Sequence, residues 1–382
     1  MSRILIVATG GAGGDLQPLV AAGLALRERR HETTFVGDES VERVVGELGV
    51  AVEVLPPELD LGPRLIAAVR DAMAATTGDP VAAGPMVQER LSGWAGEVAQ
   101  HVGRSISAHN PDVAVTSLFG VEVFEVAAPP CPWVVINSTF YVGPNPPRPL
   151  EQDIGARAVP LIARYASLLG SPDLVLHATD REFDLAQDQL PPRHHYVGPL
   201  GVWEPPTEPP PYLGDPGDPW VLVSISSQQQ DDVPLAQAAL EALANRPVRV
   251  LLTIGPHVLQ EVGTVPNNAY VEQSISHSAV LERGVLLVSH AGHGSVMKGL
   301  WYGRPMVLVP WGRDQPGVAA RAKALGVAEA VPREEASSEA LSAAIDRVLA
   351  SDEMRERCAL HAARLQASDP PALAASLIES LL

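Results

Sequence analysis

Short apolar runs recur along the chain, separated by longer stretches with helical spacing. In the first half the runs fall near Ile4–Ala8, Thr33–Val36, Val52–Leu55, Val113–Val115, Val134–Ile136 and Leu174–Leu176. In the second half they fall near Val221–Ser224, Val248–Ile254, Tyr270–Glu272, Val285–Val288 and Met306–Val309. Most are apolar at successive positions rather than alternate ones, which predicts strands covered on both faces. Helical patterns lie between them at Leu16–Arg29, Val41–Leu48, Leu235–Ala244 and Ser337–Leu349. Strands alternating with helices predict an α/β protein built from right-handed βαβ units with parallel sheets. The pattern occurs twice. Between the two halves runs Glu204-Pro205-Pro206-Thr207-Glu208-Pro209-Pro210-Pro211, continuing to Pro219. Proline at this density cannot join a helix or a central strand. Residues 204–219 therefore read as a semi-rigid linker between a domain over 1–203 and one over 220–360. The tail 361–382 is helical in pattern, broken at Pro370-Pro371, and is expected to cross back onto the first domain.

A length of 382 residues fits two domains. Aromatic residues are only 4% of the chain, as expected for Ala-, Val- and Leu-rich helices on buried strands. The formal net charge of −18 argues against nucleic acid or an anionic membrane as a general partner. It leaves room for a local phosphate site, because backbone amides bind phosphate without basic side chains. Cys131 and Cys358 are too few for a disulfide framework or a cysteine zinc cluster. No run approaches the length of a membrane span, and the N-terminus lacks a signal-like apolar core. A soluble, cytoplasmic protein is expected, and a homodimer is left open.

Three motifs could carry chemistry. The first, Thr9-Gly10-Gly11-Ala12-Gly13-Gly14-Asp15-Leu16-Gln17-Pro18, follows the first strand and opens the first helix. It is not a dinucleotide fingerprint, because Leu16 stands where the last glycine belongs, and no Gly-Lys-Ser/Thr follows. A loop at the carboxyl end of a first strand faces the ligand crevice of an α/β sheet. Asp15 is thus either an N-cap or a catalytic carboxylate, or both. The second motif is Ser289-His290-Ala291-Gly292-His293-Gly294-Ser295-Val296-Met297-Lys298. A strand, a small-residue turn and a helix starting near Gly294 make an anion site of free amides and helix dipole. His290 and His293 stand three apart with no acidic or cysteine companion, so no metal is expected. Ser295 cannot be a hydrolase elbow nucleophile, because Met297 stands where glycine is needed. The third motif, Gly303-Arg304-Pro305 through Pro310-Trp311-Gly312-Arg313-Asp314-Gln315, delivers Asp314 and Gln315 to the same sheet edge. A carboxylate beside an amide matches sugar hydroxyls, which donate and accept together. A helix cap is the plainer role for Asp314.

Together the motifs resemble those of glycosyltransferase family 1, of the GT-B fold. The resemblance is carried by His290, Gly292, Gly294, Ser295, Gly303, Pro305, Pro310, Asp314 and Gln315, with the spacing kept over about 26 residues. Gly14, Asp15 and Pro18 resemble the N-terminal loop of the sterol and antibiotic enzymes of that family, and Val197-Gly198-Pro199 is a further shared feature. The resemblance implies two Rossmann-like domains facing across a cleft. The C-terminal domain would hold a nucleotide-diphosphate sugar, with UDP or TDP as the nucleotide. The N-terminal domain would hold a small natural-product acceptor. By carry-over the donor site comprises Ser226, Ser227, Ser274, Ile275, His290, Gly292, His293, Gly294, Ser295, Val296, Lys298, Asp314 and Gln315. The Gly294–Val296 amides and His290 would hold the diphosphate, and Asp15 would take the position of the usual catalytic histidine. Inversion at the anomeric carbon follows by the same analogy, with no cofactor.

Three positions depart from the family pattern. Lys298 stands where a ribose-gripping glutamate is common, Ser274-Ile275 where an aromatic ring stacks on the base, and Val318 where asparagine follows Asp-Gln. A catalytically impaired nucleotide-sugar or metabolite binder is the alternative, and an epimerase of the same fold a third. The acceptor site is placed at Gly13, Gly14, Phe140 and Tyr141, within stretches 57–100 and 138–170, with Trp94 and Met86 as further apolar candidates. His194, His195 and His277 read as surface or interdomain residues.

Overall fold

The computed structural model describes residues 1–10, 13–141, 167–184, 190–227 and 230–382. Two parallel sheets form the scaffold. The first has seven strands: β1 (Arg3–Ala8), β2 (Glu32–Gly37), β3 (Ala51–Val54), β4 (Val113–Ser117), β5 (Trp133–Asn137), β6 (Leu174–His177) and β7 (His194–Tyr196). Their order is β3-β2-β1-β4-β5-β6-β7. The second has six strands: β8 (Trp220–Ser224), β9 (Arg249–Thr253), β10 (Ala269–Glu272), β11 (Gly284–Ser289), β12 (Met306–Leu308) and β13 (Ala328–Ala330), in the order β10-β9-β8-β11-β12-β13. Leu5, Val7 and Ala114 pack against the helix Pro80–His109 on one face of the first sheet, while Ile4, Ile6 and Val115 pack against the helix Leu16–Glu28 on the other. Residues alternating between two apolar layers explain the unbroken apolar runs.

Strand order reverses between β1 and β4 in one sheet and between β8 and β11 in the other. The parallel register Ile4↔Val113 and Leu287↔Leu222 keeps the carboxyl ends of each pair level. A switch point of this kind opens a crevice beyond the strand ends. The loops carrying Asp15 and His290 follow β1 and β11, so each borders a crevice.

The halves are locked by side chains that cross between them. Phe140 and Phe183, from the first half, lie in the core of the second with Leu287, Val296 and Met297. The Arg321 guanidinium, 1% exposed, lies 3.6 Å above the Phe140 ring and donates to Asp184 Oδ1 at 3.4 Å. A Cβ at Gly317 would come within 2.6 Å of that ring, so the close approach requires glycine. The last helix, Pro370–Glu379, buries Ala374, Ala375 and Ile378 against the first domain, and Glu379 pairs with Arg29 at 2.6 Å. The linker is tied to the second domain: Tyr212 stacks on Tyr270 with ring centroids 4.3 Å apart.

The helices Leu61–Ala75 and Pro80–His109 and the three-residue strands β7 and β13 are additions to the sequence reading. Trp94 donates from Nε1 to Leu59 O and is core rather than pocket lining. His194 is buried against His177, His177 Nε2 to His194 Nδ1 being 3.0 Å, rather than at the surface. The part of the expected acceptor region over 142–166, and Gly11 and Ala12 of the first motif, lie outside the described residues. No helix among the described residues is long and apolar enough to cross a membrane.

Removing one partner of a buried ion pair strands the other charge, at a cost of about 3–5 kcal/mol. Arg321→Met is therefore expected to lower stability by about that amount in urea unfolding, and adding Asp184→Asn should return part of the loss.

Candidate functional site

The helix Leu16–Glu28 begins at Asp15, yet the Asp15 side chain makes no capping bond. Its carboxylate instead accepts from Ser138 Oγ, in the turn after β5. The helix Gln315–Ala324 repeats the arrangement from the other domain: Asp314 precedes it, leaves it uncapped, and accepts from Thr139 Oγ1 at 2.6 Å. Two acids at the starts of facing helices thus meet on one two-residue turn. Burial pushes the Asp15 carboxyl up to about 6, with Asp314 adding to the rise, against the Ser138 hydrogen bond and the positive charge of Arg313. Ser138 and Thr139 fall at the start of the expected acceptor stretch 138–170, but the sequence does not single either out. The one available signal was their position just past the carboxyl end of a central strand.

The second motif turns into its helix at His293, one residue earlier than expected, with Gly292 as N-cap. The Val296 amide is consequently taken, donating to Gly292 O at 3.0 Å. The amides with no intrahelical acceptor are those of His293, Gly294 and Ser295. His290 Nδ1 lies 3.1 Å from Ser224 O, a group that only accepts, so Nδ1 carries the proton. Burial lowers the His290 pKa, so the neutral ring presents an Nε2 lone pair. A side chain at Gly292 would come within 2.5 Å of Nε2, which accounts for that glycine. His293, expected on the donor, turns to the first domain: Nε2 meets Thr179 Oγ1 at 2.9 Å. Burial drives it down to about 3, with Arg321 adding to the fall and the Ser138 carbonyl opposing it.

After β8, Ser226 is buried and donates its amide to Asp232 Oδ2 at 2.7 Å, while Ser227 is exposed. Gln315 is 2% exposed, and its two ends are engaged: Oε1 accepts from the Trp311 and Gly312 amides, and Nε2 donates to Gln230. It therefore shapes the turn that presents Asp314. Phe140 and Tyr141, expected to line the acceptor site, are both 4% exposed; Phe140 lies under Arg321, and Tyr141 donates its amide to Asp184. Gly13 is buried, and Gly14 is exposed beside Asp15 with open space where a Cβ would be.

Lys298 is 4% exposed and does not face a ligand as a free cation. Its ammonium donates to Glu204 Oε1 at 2.8 Å and to Gln17 Oε1 at 3.4 Å. Glu204, the first linker residue, also accepts from Ser276 Oγ and from the His277 and Ser278 amides. Burial favours the neutral acid, but Lys298, His277 and these donors outweigh it and hold Glu204 down to about 2. His277 is itself pushed down to about 4 by burial, reinforced by Lys298, and its amide donates to the linker's Glu204, so of the two expected settings it takes the interdomain one. Ser274 is exposed and Ile275 half-buried at the edge of this cluster. No group of three metal-ligating side chains occurs among the described residues.

Comparison with known proteins places this geometry. Residues 237–381 match the family described as erythromycin biosynthesis protein CIII-like, C-terminal domain. A demethyllactenocin mycarosyltransferase of Streptomyces fradiae is 30% identical over 210 residues, 53% of this chain and 44% of that one. An O-mycaminosyltylonolide 6-deoxyallosyltransferase of the same species is 27% identical over 405 residues, 91% of this chain and 90% of that one. The spinosyn rhamnosyltransferase solved with thymidine diphosphate superposes with a TM-score of 0.73 at 17% identity, over 98% of this chain and 99% of that one. The chain has the GT-B fold and is similar in sequence to antibiotic glycosyltransferases. The first curated relatives are matched over about half their length, 44% and 52%.

In this GT-B chain Lys298→Glu would set a second carboxylate against Glu204 and leave Glu204 without its cation. Thermal melts should show a loss of about 3–5 kcal/mol. The reversed pair, Glu204→Lys with Lys298→Glu, should recover only part, because a lysine at 204 cannot accept from the His277 and Ser278 amides.

Proposed function

We propose that this chain moves a sugar from a nucleotide-diphosphate sugar, with UDP or TDP as nucleotide, to a hydroxyl of a small natural-product acceptor in the cytoplasm. The observation that carries the reading is the Asp15 carboxyl, released from its helix, held by Ser138 and buried until its pKa nears that of a histidine. An unperturbed aspartate, at about 3.9, would be a poor general base beside histidine at about 6.5, and burial here closes most of that gap. The C-terminal domain supplies the leaving-group side, where the first amides of the helix His293–Trp301 face the turn after β11. Charge growing on a departing diphosphate would meet those amides and dipoles. The acceptor oxygen forms a bond to the anomeric carbon as the bond to the diphosphate breaks, and its proton goes to Asp15. Base and leaving-group site stand on opposite domains, which favours attack from the face opposite the leaving group and hence inversion. Thymidine diphosphate bound to a relative of the same fold supports the choice of nucleotide.

A second reading, a binder of the same fold without turnover, draws on one observation. Asp314 and Gln315, the residues expected on sugar hydroxyls, already hold protein partners. Nucleotide binding without product in a mass-spectrometric screen of acceptors would select it.

If Asp15 is the base, kcat/KM should fall as pH drops through about 6. Ser138→Ala should shift that limb upward, and Asp15→Asn should lose about 10² to 10⁴ in rate. Asp15 has a folded pKa above its unfolded value, so its ionisation opposes folding. The penalty is absent below about 4 and complete above about 6. Asp15→Asn should therefore raise the melting temperature at pH 7.5 but not at pH 4.

His290 can donate to a phosphate through Nε2 only after gaining a proton there, since Nδ1 is committed to Ser224. Binding of TDP at pH 7.5 should accordingly take up a proton. Calorimetry in two buffers of different ionisation enthalpy measures this, and His290→Asn should abolish the uptake.

A further inference from the structure

Six non-glycine residues among those described have a positive φ: Arg30, Thr77, Asn110, Ala128, Ala291 and Arg313. The first four end helices, where a left-handed residue is the ordinary terminator. Ala291 and Arg313 end none. Ala291, at φ 65°, lies in the turn between β11 and the helix His293–Trp301. Arg313, at φ 56°, lies in the turn between β12 and the helix Gln315–Ala324. Both turns are at the carboxyl edge of the second sheet, on adjacent strands, facing the same crevice. Glycine fits a left-handed position without strain, and Gly312 is the neighbouring residue. A long cationic side chain there, in a conformation that side chains disfavour, points to use of the guanidinium rather than of the turn.

The surroundings indicate what that use is. The crevice is acidic: Asp15, Asp232 and Asp314 all lie within electrostatic reach of Arg313, and so does His290. A diphosphate entering it meets repulsion from three carboxylates, while the helix amides and neutral His290 offer only dipoles. Lys298 and Arg321, on the helices that follow the two turns, are only 4% and 1% exposed and do not reach the crevice mouth. Arg313 is exposed at the mouth of the turn. A guanidinium also matches two phosphate oxygens at once.

We infer that Arg313 binds the diphosphate of the donor and receives the charge that accumulates there as the sugar departs. The inference rests on the transferase reading. As the anomeric C–O bond breaks, its electron pair stays on the terminal phosphate oxygen. The free diphosphate therefore carries more negative charge than its sugar ester, and a cation placed there favours the later state.

The test uses the full chain and titrates TDP, TDP-glucose and thymidine into wild type, Arg313→Gly and Arg313→Lys. Arg313→Gly should weaken TDP by about 10- to 100-fold, the range of a charge-assisted contact. It should weaken TDP-glucose less and thymidine not at all, with a melting temperature equal to or above wild type, because glycine relieves the left-handed residue. Arg313→Lys should restore part of the TDP affinity. Unchanged TDP affinity in Arg313→Gly, equal losses on TDP and TDP-glucose, or a loss shared by thymidine with a lowered melting temperature would each overturn the inference. Should wild type bind none of UDP, TDP, GDP, ADP and CDP, the transferase reading itself fails, a result distinct from a wild type that binds TDP and a variant that binds it equally well.

Discussion

Two hydroxyls on one turn join the two halves of the cleft. Ser138 donates to Asp15 from the first domain and Thr139 to Asp314 from the second. Each acid stands at the start of a helix and leaves it uncapped; the Ser138–Asp15 contact lies within the first domain, and the Thr139–Asp314 contact crosses to the second. The turn can serve both because Phe140, the next residue, is buried in the second domain under Arg321. Burial of its carboxyl in this turn raises Asp15, and the charge of Asp314 beside it adds to the rise.

The same economy of charge runs through the rest of the interface. Lys298 is neutralised by Glu204 and Arg321 by Asp184, and both pairs are almost wholly buried. Histidines 277, 290 and 293 are held neutral by burial, so positive charge near the turn after β11 comes from backbone amides and Arg313. In the proposed transfer, charge developing on a diphosphate would meet these fixed dipoles and the Arg313 cation, with the dipoles needing no rearrangement.

Lys298 illustrates how a departure from a family pattern is absorbed. Taken alone it puts a cation where an acid is common. In three dimensions the acid is present but arrives from the linker, at Glu204, and its oxygens are spent on Lys298, Ser276 and two amides. The cluster ties the linker to both domains, through Gln17 of the first and Lys298 of the second.

The apolar runs, the glycine turns and the proline segment were enough to read two parallel-sheet domains and the loops bordering their crevices, because each signal is local: burial on two faces, backbone freedom, a missing amide proton. The motif spacing likewise exposed Asp15, His290 and Asp314 as candidates. Side-chain direction was not legible. Whether Asp15 capped its helix or faced the cleft, whether Gln315 met a ligand or its own turn, and whether Phe140 lined a pocket or plugged an interface all depended on residues more than a hundred positions away or on how the turn closed. The Thr139–Asp314 contact, the Glu204–Lys298 pair and the Asp314 contribution to the pKa of Asp15 exist only once the domains meet, since burial and Coulomb interaction are set by distance in space and not by order along the chain.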